Sequence, residues 1–354
     1  MAIQIIKQNL GIDISKDDFK TCFYQLTDKH QSRVKASRTF KNKLTGFKGL
    51  QQWIERHRFA DAEVRITIEA TGVYYEQLVY FLNDLQQYHI SVVLPNKSKA
   101  YVKSLGIKTK TDKVDAKALG QLGLERDLDK WQPISDNFRT IKHLSRERVS
   151  LLEEKVALMN KLHALNHSYA PQRQVIKRLR KRLQLIEQQI KVVEKELKQQ
   201  IKQDPQLEQR LLKACQVKGL GLITVATVVA ETGGFELFSS TKQLTSYAGY
   251  DVVERQSGSS VKGKTRISKK GNRFIRRALH CPALTAVRYE PQFKQLYERV
   301  YARSAVKMKG LVAVQRKLLL LIYTLFKNNV DYDPNFAQKQ PNKCRQDKMP
   351  AYAG

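Results

Sequence analysis

The sequence predicts an α/β domain with a mixed sheet and flanking helices, then a long helical hairpin and a mostly helical C-terminal domain. Three observations support this fold class. Short β-branched runs alternate with helical patterns over residues 1–130, apolar residues follow a 3-4 spacing through residues 141–201, and helical segments broken by glycines fill the rest. We therefore expect domains at residues 1–130, 131–208 and 209–330, and a mobile tail at 331–354.

The N-terminal domain is predicted from the order of its strands and helices. Residues 9–15 and 21–26 favour two strands around a polar turn, and residues 33–40 are a candidate third strand. The pattern continues as helix, strand, helix, strand and two helices, at residues 47–59, 64–68, 73–87, 90–94, 97–104 and 112–124. This order is the one expected of an RNase H-like fold, which carries acids at strand ends and on a following helix.

Four carboxylates occupy the places where that fold carries its acids. Asp13 lies in the first strand and Glu69 ends a central one, while Asp112 and Asp115 are three residues apart and share one helix face. Clustered carboxylates raise one another's pKa unless a cation lies between them, and Mg²⁺ prefers such oxygens. The pattern predicts a Mg²⁺ site, with Mn²⁺ as a substitute.

Purely structural roles are the alternative for these acids. Asp13 could make a turn at the strand end, and Glu69 could cap the helix after Thr71. Asp112 could be the N-cap of its helix, with Asp115 as a favourable first-turn acid.

The charge of the chain points to a polyanionic partner. Its 64 Lys and Arg against 33 Asp and Glu give a formal net charge of +31 and a pI of about 10.0. No apolar stretch approaches the roughly 18 to 20 residues that span a bilayer, and the first residues lack a signal-peptide pattern. We therefore expect nucleic acid as the partner, in the cytoplasm of a bacterial-type cell and at its nucleoid. Four lysines beside the acids are candidate phosphate contacts: Lys108, Lys110, Lys113 and Lys117.

The cysteines argue against a zinc site and a disulfide framework. Cys22, Cys215, Cys281 and Cys344 are far apart in the sequence, so no Cys-x-x-Cys pair exists. Free thiols in a reducing compartment are expected.

Residues 141–201 carry the most regular pattern in the chain. Seven apolar residues from Ile176 to Leu197 follow the 3-4 spacing typical of a coiled coil, and leucines upstream of Pro171 share the register. Arg148 and Lys155 interrupt it. The pattern predicts a long antiparallel hairpin or two helices that pair between subunits, with a plain helical spacer as the alternative.

The C-terminal domain begins with a pattern that resembles a helix-hairpin-helix. Gly219 and Gly221 separate helical segments, where glycine allows backbone N–H groups to approach a phosphate but also serves a tight helix–helix turn. Helices are expected at residues 272–288 and 311–326, after a Gly/Ser/Lys-rich loop at 256–270. The cations around this loop are candidate phosphate contacts: Lys262, Lys264, Arg266, Lys269, Lys270, Arg273, Arg276 and Arg277. A serine of the loop could attack a phosphodiester or only donate hydrogen bonds to it.

The motifs taken together resemble the DEDD insertion-sequence transposases, also called bridge-RNA-guided recombinases, a group that includes pilin-gene-inverting recombinases. The resemblance covers residues 8–330, and the joint occurrence of its motifs in the right order is highly specific. They are Gly-Ile-Asp13-Ile-Ser, Glu69-Ala-Thr-Gly-Val-Tyr, Lys-Thr-Asp112-Lys-Val-Asp115-Ala, and Tyr-Ala-Gly-Tyr followed by Gln-Ser257-Gly and Arg-Ile-Ser-Lys-Lys-Gly-Asn-Arg.

The resemblance implies a RuvC-like N-terminal domain whose four acids bind Mg²⁺, and Ser257 as the nucleophile that forms a phosphoserine link to DNA. It also implies a hairpin that joins subunits, an active site shared between protomers, and a dimer that becomes a tetramer in the active complex. The partners would be donor and target double-stranded DNA and an element-encoded guide RNA that supplies sequence choice by base pairing. No membrane is implied. Ser257 is favoured because it directly precedes Gly258, and Ser259 is the alternative.

Two other functions fit parts of the sequence. A junction-resolvase-like endonuclease would use the same four acids with water as nucleophile, and Ser257 would only contact phosphate. A non-enzymatic architectural protein would use the basic C-terminal domain and would not need the acids.

Overall fold

A computed structural model describes residues 4–109, 111–236, 238, 240–254, 256–257, 261–263 and 265–335. The chain forms two compact units, Met1–Pro133 and Ile134–Gly354. Among the helices of the described residues, none combines the length and the apolar character of a membrane span. Cys22, Cys215 and Cys281 are free thiols, whereas Cys344 and residues 336–354 of the predicted tail lie outside the described part.

The first unit is built on a mixed five-stranded sheet, which confirms the α/β prediction. Its described elements are β1 Ile5–Ile14, β2 Asp18–Thr27, β3 Ser32–Lys41, α1 Leu44–His57, β4 Val64–Glu69, α2 Glu76–Asp84, β5 His89–Val93, α3 Pro95–Ser104 and α4 Asp112–Glu125. The strand order is β3-β2-β1-β4-β5. Strands β1, β2 and β3 pair antiparallel, whereas β1, β4 and β5 are parallel. The candidate third strand is therefore real, and α2 is shorter than the helix predicted at residues 73–87.

Alternation along β1 divides its side chains between two different environments. One set lies in the apolar core that α1 and α2 share with the sheet: Leu10, Ile12 and Ile14. The other set lies on the face against α4. There the buried Asn9 amide donates to the Gly120 carbonyl at 2.8 Å and accepts from the Thr67 hydroxyl at 3.1 Å. Because Asp13 has the same parity as Asn9, it also lies on the α4 face.

Glycines allow α4 to lie almost directly on strand β1. A Cβ atom on Gly11 would be 2.1 Å from the Gly120 nitrogen and 2.2 Å from the Ala116 carbonyl oxygen. A Cβ on Gly123 would be 2.3 Å from both the Asn9 amide and the Thr67 hydroxyl. No larger side chain fits at these positions without moving the helix, so backbone contact fixes the height of α4 above the sheet.

The start of α4 is set by a threonine cap. Thr111 is the N-cap, and its hydroxyl accepts from the Val114 amide at 3.4 Å. The interpretation of Asp112 as the N-cap is therefore wrong, because Asp112 is the first helical residue. Asp112 and Asp115 both lie in the first turn, where the helix dipole favours acids.

The second unit is mostly helical. Its described elements are α5 Asp136–Asn166, α6 Arg173–Lys202, α7 Pro205–Cys215, α8 Leu222–Glu231, a 3₁₀ turn Gly233–Phe235, α9 Thr241–Tyr247, β6 Val252–Val253, β7 Gln256–Ser257, β8 Val261–Lys262, β9 Arg266–Ile267, α10 Arg273–Ala278, α11 His280–Tyr289, α12 Pro291–Ser304 and α13 Lys307–Asn328. Strand β6 pairs with β9, and β7 pairs with β8.

A proline breaks the helix predicted at residues 272–288. The structure has two helices there, α10 and α11, which meet at Leu279. Pro282 has no N–H to donate to the Ala278 carbonyl, and its ring would clash with that carbonyl in a continuous helix. Proline is tolerated in a first turn, which is where α11 holds it.

Helices α5 and α6 pack side by side as an antiparallel hairpin. Leu151 and Leu158 of α5 are buried with Ile186 and Val193 of α6. The two charged residues that interrupt the apolar pattern form interhelical ion pairs. Arg148 Nε lies 2.6 Å from Glu194 Oε1, and Lys155 Nζ lies 2.8 Å from Glu187 Oε1. Since the α6 numbers fall as the α5 numbers rise, the two pairs also fix the antiparallel register.

We expect Gly11→Ala to destabilise the protein by about 1–3 kcal/mol, because the added methyl group overlaps the backbone of α4. The matched control is Gly49→Ala in α1, where a Cβ would meet nothing nearer than Phe40 Cδ1 at 3.7 Å. The control should be neutral or stabilising by up to about 1 kcal/mol, because alanine favours a helix. Urea unfolding of both variants measures the difference. Equal stabilities would contradict the close packing of α4 on β1.

Candidate active site

Parallel pairing of β1 and β4 places Asp13 beside Glu69. Ile12 is aligned with Ile68 across the pair, so the next residue of each strand is one of the two acids. Both lie at the carboxyl edge of the parallel strands. Ligands of open α/β sheets bind at such edges.

Helix α4 brings the other two predicted acids to the same place. Asp112 and Asp115 line one cavity together with Asp13 and Glu69, and its volume is about 530 Å³. The structure thus brings together all four carboxylates that the sequence singled out, from three separated segments.

Two hydroxyl groups hold the carboxylate of Glu69 in place. The Ser98 hydroxyl donates to Glu69 Oε2 at 2.5 Å, and the Thr71 hydroxyl donates to Oε1 at 3.3 Å. Ser98 is buried at the start of α3. Sequence reasoning missed Ser98, because nothing in its local sequence marks it. Glu69 is also not the cap of α2, whose N-cap is Tyr75.

A lysine from the neighbouring strand reaches into the acid cluster. Lys20 is opposite Asp13 in the β1–β2 pair, and its Nζ lies 2.5 Å from Asp112 Oδ2 and 3.8 Å from Asp18 Oδ1. The hydrogen bond to Asp112 raises the pKa of Lys20, so the ammonium stays charged. Lys20 was not among the predicted site residues. Its only signal in the sequence is the hairpin register that places it opposite Asp13.

The carboxyl group of Asp13 has a strongly perturbed pKa. Burial raises its pKa to about 7, and the charges of Asp115, Asp112 and Glu69 act in the same direction. Lys20 opposes this shift only in part. The folded protein therefore holds this carboxyl in an environment that lacks sufficient positive charge.

The donor chemistry of the cluster fits a hard divalent cation. It consists of carboxylate oxygens, and a cation would relieve the repulsion at Asp13. Within the described residues, however, no three Asp, Glu, His or Cys side chains converge closely enough to bind one ion as they stand. Asp112 is turned toward Lys20. Ion binding would thus require the carboxylates to draw together.

The lysines predicted near the acids are distributed around the cavity. Lys108 lines it, and Lys113 and Lys117 are exposed on α4. Lys110 lies outside the described residues. Two further lysines of α3, Lys99 and Lys103, also line the cavity. A phosphodiester placed there would meet cations on its rim.

Ser257 lies in the second unit, on the short strand β7 opposite Val261 of β8. Residues 258–260, which include Ser259, lie outside the described part of the chain, as does Lys264. Lys262 lies on β8. Four other predicted contacts are exposed: Arg266, Lys269, Lys270 and Arg273.

The last two predicted phosphate contacts already have partners within the protein. Arg276 Nη1 donates to the Ala248 carbonyl at 2.8 Å, which ties α10 to the end of α9. Arg277 forms an ion pair with Glu153 of α5. Phosphate binding by either residue would have to compete with these contacts.

A buried carboxylate anchors the basic segment that precedes α10. Glu231 accepts from Arg146 Nε at 2.7 Å and Nη2 at 2.9 Å, and from Asn272 Nδ2 at 2.6 Å. Asn272 in turn caps α10 by accepting from the Phe274 amide at 2.9 Å. The asparagine of the Lys-Gly-Asn-Arg motif thus joins α5, α8 and α10, a structural role that sequence reasoning missed.

Two family profiles match separate parts of the chain. The IS110 DEDD transposase profile matches residues 10–171, and the profile of the IS116/IS110/IS902 transposase family matches residues 212–298. The four acids fall within the first match and Ser257 within the second.

Individual relatives agree with the profiles. The chain is 31% identical to the pilin gene-inverting protein of Moraxella bovis over 333 residues, which cover 92% of this chain and 98% of that protein. It is 25% identical over 115 residues to an uncharacterized 43.6 kDa protein of insertion element IS110 from Streptomyces coelicolor, covering 32% of this chain and 28% of that protein. The Aquifex aeolicus PPX-GPPA enzyme aligns with 30% of this chain and 43% of its own at 13% identity and a TM-score of 0.22, which is too low to support a shared fold.

We expect Asp13→Asn to stabilise the metal-free protein at pH 8. The unfolded carboxyl ionises near 3.8 and the folded one near 7, so the free energy of unfolding falls as pH rises between these values. The gain should be about 1–2 kcal/mol, because partial solvent contact weakens the effect, and it should vanish below about pH 4. Thermal unfolding across this pH range tests it, with the exposed Asp61→Asn as control. An Asp13→Asn variant no more stable than wild type at pH 8 would contradict the repulsion at Asp13.

Lys20→Gln should tighten the binding of a divalent cation by several-fold. The substitution removes a positive charge from the cluster and releases Asp112 from its 2.5 Å ion pair. Titration with Mn²⁺, followed by electron paramagnetic resonance of the free ion, measures the affinity directly. The matched control is Lys16→Gln in the exposed turn between β1 and β2. Equal affinities of the two variants would show that Lys20 does not compete for the cation.

Proposed function

The chain belongs to the IS110 family of transposases and recombinases, and we propose that it cuts and rejoins donor and target DNA through a covalent phosphoserine intermediate. The observation that carries the metal-assisted part of this proposal is the convergence of Asp13, Glu69, Asp112 and Asp115 on one cavity with lysines on its rim. The serine step is supported by the family resemblance. Four acids in a strongly basic chain suit a metal-assisted reaction at a phosphodiester.

The topology of the first unit supports an RNase H-like, RuvC-like catalytic domain. An antiparallel β3-β2-β1 meander continues into parallel β4 and β5, and acids lie on the first and fourth strands. Helix α4, the second helix after strand β5, carries the remaining acids. This is the arrangement of strands and acids that the family resemblance implies.

Mg²⁺ would be held by Asp13, Glu69, Asp112 and Asp115, and Mn²⁺ would substitute for it. When bound, such an ion polarises a phosphoryl group and stabilises the leaving oxygen. The chain's own groups prepare the site. Ser98 and Thr71 orient Glu69. Lys20 pairs with Asp112 and would release it when the metal ion binds.

The serine step is a transesterification. The hydroxyl oxygen of Ser257 attacks the phosphorus atom, a new P–O bond to the serine forms, and the P–O bond to one deoxyribose oxygen breaks. The serine proton is lost and the leaving deoxyribose oxygen gains a proton. Because one phosphoester replaces another, the reverse attack by a DNA hydroxyl rejoins the strand without an external energy source.

The guide RNA and the oligomer complete the proposal. The family resemblance and the net charge of +31 support the binding of an element-encoded RNA, which would choose both DNA sites by base pairing. Pairing of hairpins between subunits would give a dimer, with a tetramer in the active complex. The acids of one protomer would then act with Ser257 of another.

Covalent trapping tests the proposal. Purified protein is incubated with the element's RNA, Mg²⁺ and labelled donor and target DNA, and the products are run on a denaturing protein gel. Wild type should give a labelled protein–DNA band that Ser257→Ala and Asp13→Ala both lose, while Ser259→Ala keeps it. Cleaved DNA without a protein-linked band, together with normal cleavage by Ser257→Ala, would instead indicate a hydrolytic junction-resolvase-like endonuclease.

A further inference from the structure

The free end of the α5–α6 hairpin carries a segregated positive charge. Residues 155–186 contain eight Lys or Arg residues and no Asp or Glu. Toward the root of the hairpin, acids and bases alternate, and the interhelical ion pairs Arg148–Glu194 and Lys155–Glu187 join the helices. Beyond Lys155 the two helices extend roughly 20 Å further without an acid. The charge is therefore concentrated on a part of the hairpin that has no acidic neighbours of its own.

Six of these cations lie on the first three turns of α6, and all are exposed. They are Arg173, Lys177, Arg178, Arg180, Lys181 and Arg182. None of the six forms an ion pair with a carboxylate among the described residues. Leu179 and Leu183 face α5 instead and pack against the core. The apolar contacts of the hairpin thus do not use the cationic face.

The spacing of these cations is unfavourable for the helix alone. Arg173, Lys177 and Lys181 follow one another at four-residue intervals, as do Arg178 and Arg182, and like charges at this spacing repel. The first turn of α6 begins with Arg173 and contains no acid, whereas the helix dipole favours acids and disfavours cations at this end of a helix. An anionic partner would relieve both effects.

We propose that the cationic end of the hairpin, residues 173–182 of α6, binds the phosphate backbone of double-stranded DNA outside the acid cavity. Two rows of cations, with neighbours about 5–6 Å apart on a straight helix, present charge to a duplex that carries one negative charge per about 1.7 Å of its axis. Such contacts hold and orient DNA without reading its sequence. DNA is the expected ligand because transposases act on DNA, so this inference rests on the proposed function.

The test compares two triple variants of the full-length protein that lose the same charge from the same helix. The end variant carries Arg178→Gln, Lys181→Gln and Arg182→Gln. The root variant carries Lys191→Gln, Lys195→Gln and Lys198→Gln, three exposed lysines interspersed with Glu194 and Glu196. Binding of a 30-base-pair duplex DNA is measured by fluorescence anisotropy without divalent metal at several salt concentrations, so that cleavage plays no part.

The end variant should lower the slope of log affinity against log salt by about 2, and weaken binding about tenfold at 0.1 M salt, because each lost phosphate contact contributes about 0.9 to the slope. The root variant should change the slope by less than about 1. Equal changes in the two variants would overturn the proposal, as would a change seen only with an RNA duplex of the same length.

A charge-conserving variant separates binding from folding. Arg178→Lys combined with Arg182→Lys keeps both charges and should keep the wild-type salt slope. Thermal unfolding of the end variant should not occur at a lower temperature than that of wild type, since the substitutions remove like-charge repulsion. Loss of DNA binding by the charge-conserving variant would indicate a role other than phosphate contact.

Discussion

The close contact between strand β1 and helix α4 is the constraint on which the acid cluster depends. Asp13 is on the strand and Asp112 and Asp115 are on the helix, so their separation is set by the distance between these two elements. Gly11, Gly120 and Gly123 remove the side chains that would hold the helix away, and the Asn9 amide bonds to the helix backbone. The motif Gly-Ile-Asp therefore contains both a catalytic candidate and the residue that lets its partners approach.

The two units use buried carboxylates in opposite ways. Glu231 is fully buried and accepts three hydrogen bonds from Arg146 and Asn272, so its charge is compensated by the fold. Asp13 is partly buried among three other acids and one lysine, and its pKa rises to about 7. A compensated acid stabilises packing, whereas an uncompensated one requires a further cation. This difference separates a structural acid from a candidate metal ligand within one chain.

Much of the arrangement of the four acids could be predicted from the sequence. The alternation of side chains along a strand and the spacing of residues on a helix are local properties. Parity along β1 and β4 places Asp13 and Glu69 on the face of α4, and the three-residue interval places Asp112 and Asp115 together. Lys20 and Ser98 could not be found in this way, because their contacts depend on strand register and on how α3 packs. The division at Leu279 was missed although Pro282 marks it. The proposed role of Ser257 rests on family resemblance, since its neighbours 258–260 lie outside the described residues.

The two interhelical ion pairs of the hairpin make the packing of its root independent of its length. Arg148–Glu194 and Lys155–Glu187 fix the register on the side where α5 and α6 join the core of the second unit. A heptad added to each helix beyond these pairs would lengthen the hairpin by about 10 Å and leave the packing of the root unchanged. The length of the hairpin can therefore change, and with it the distance from its root to its free end, without any change to the chemistry that either unit supports.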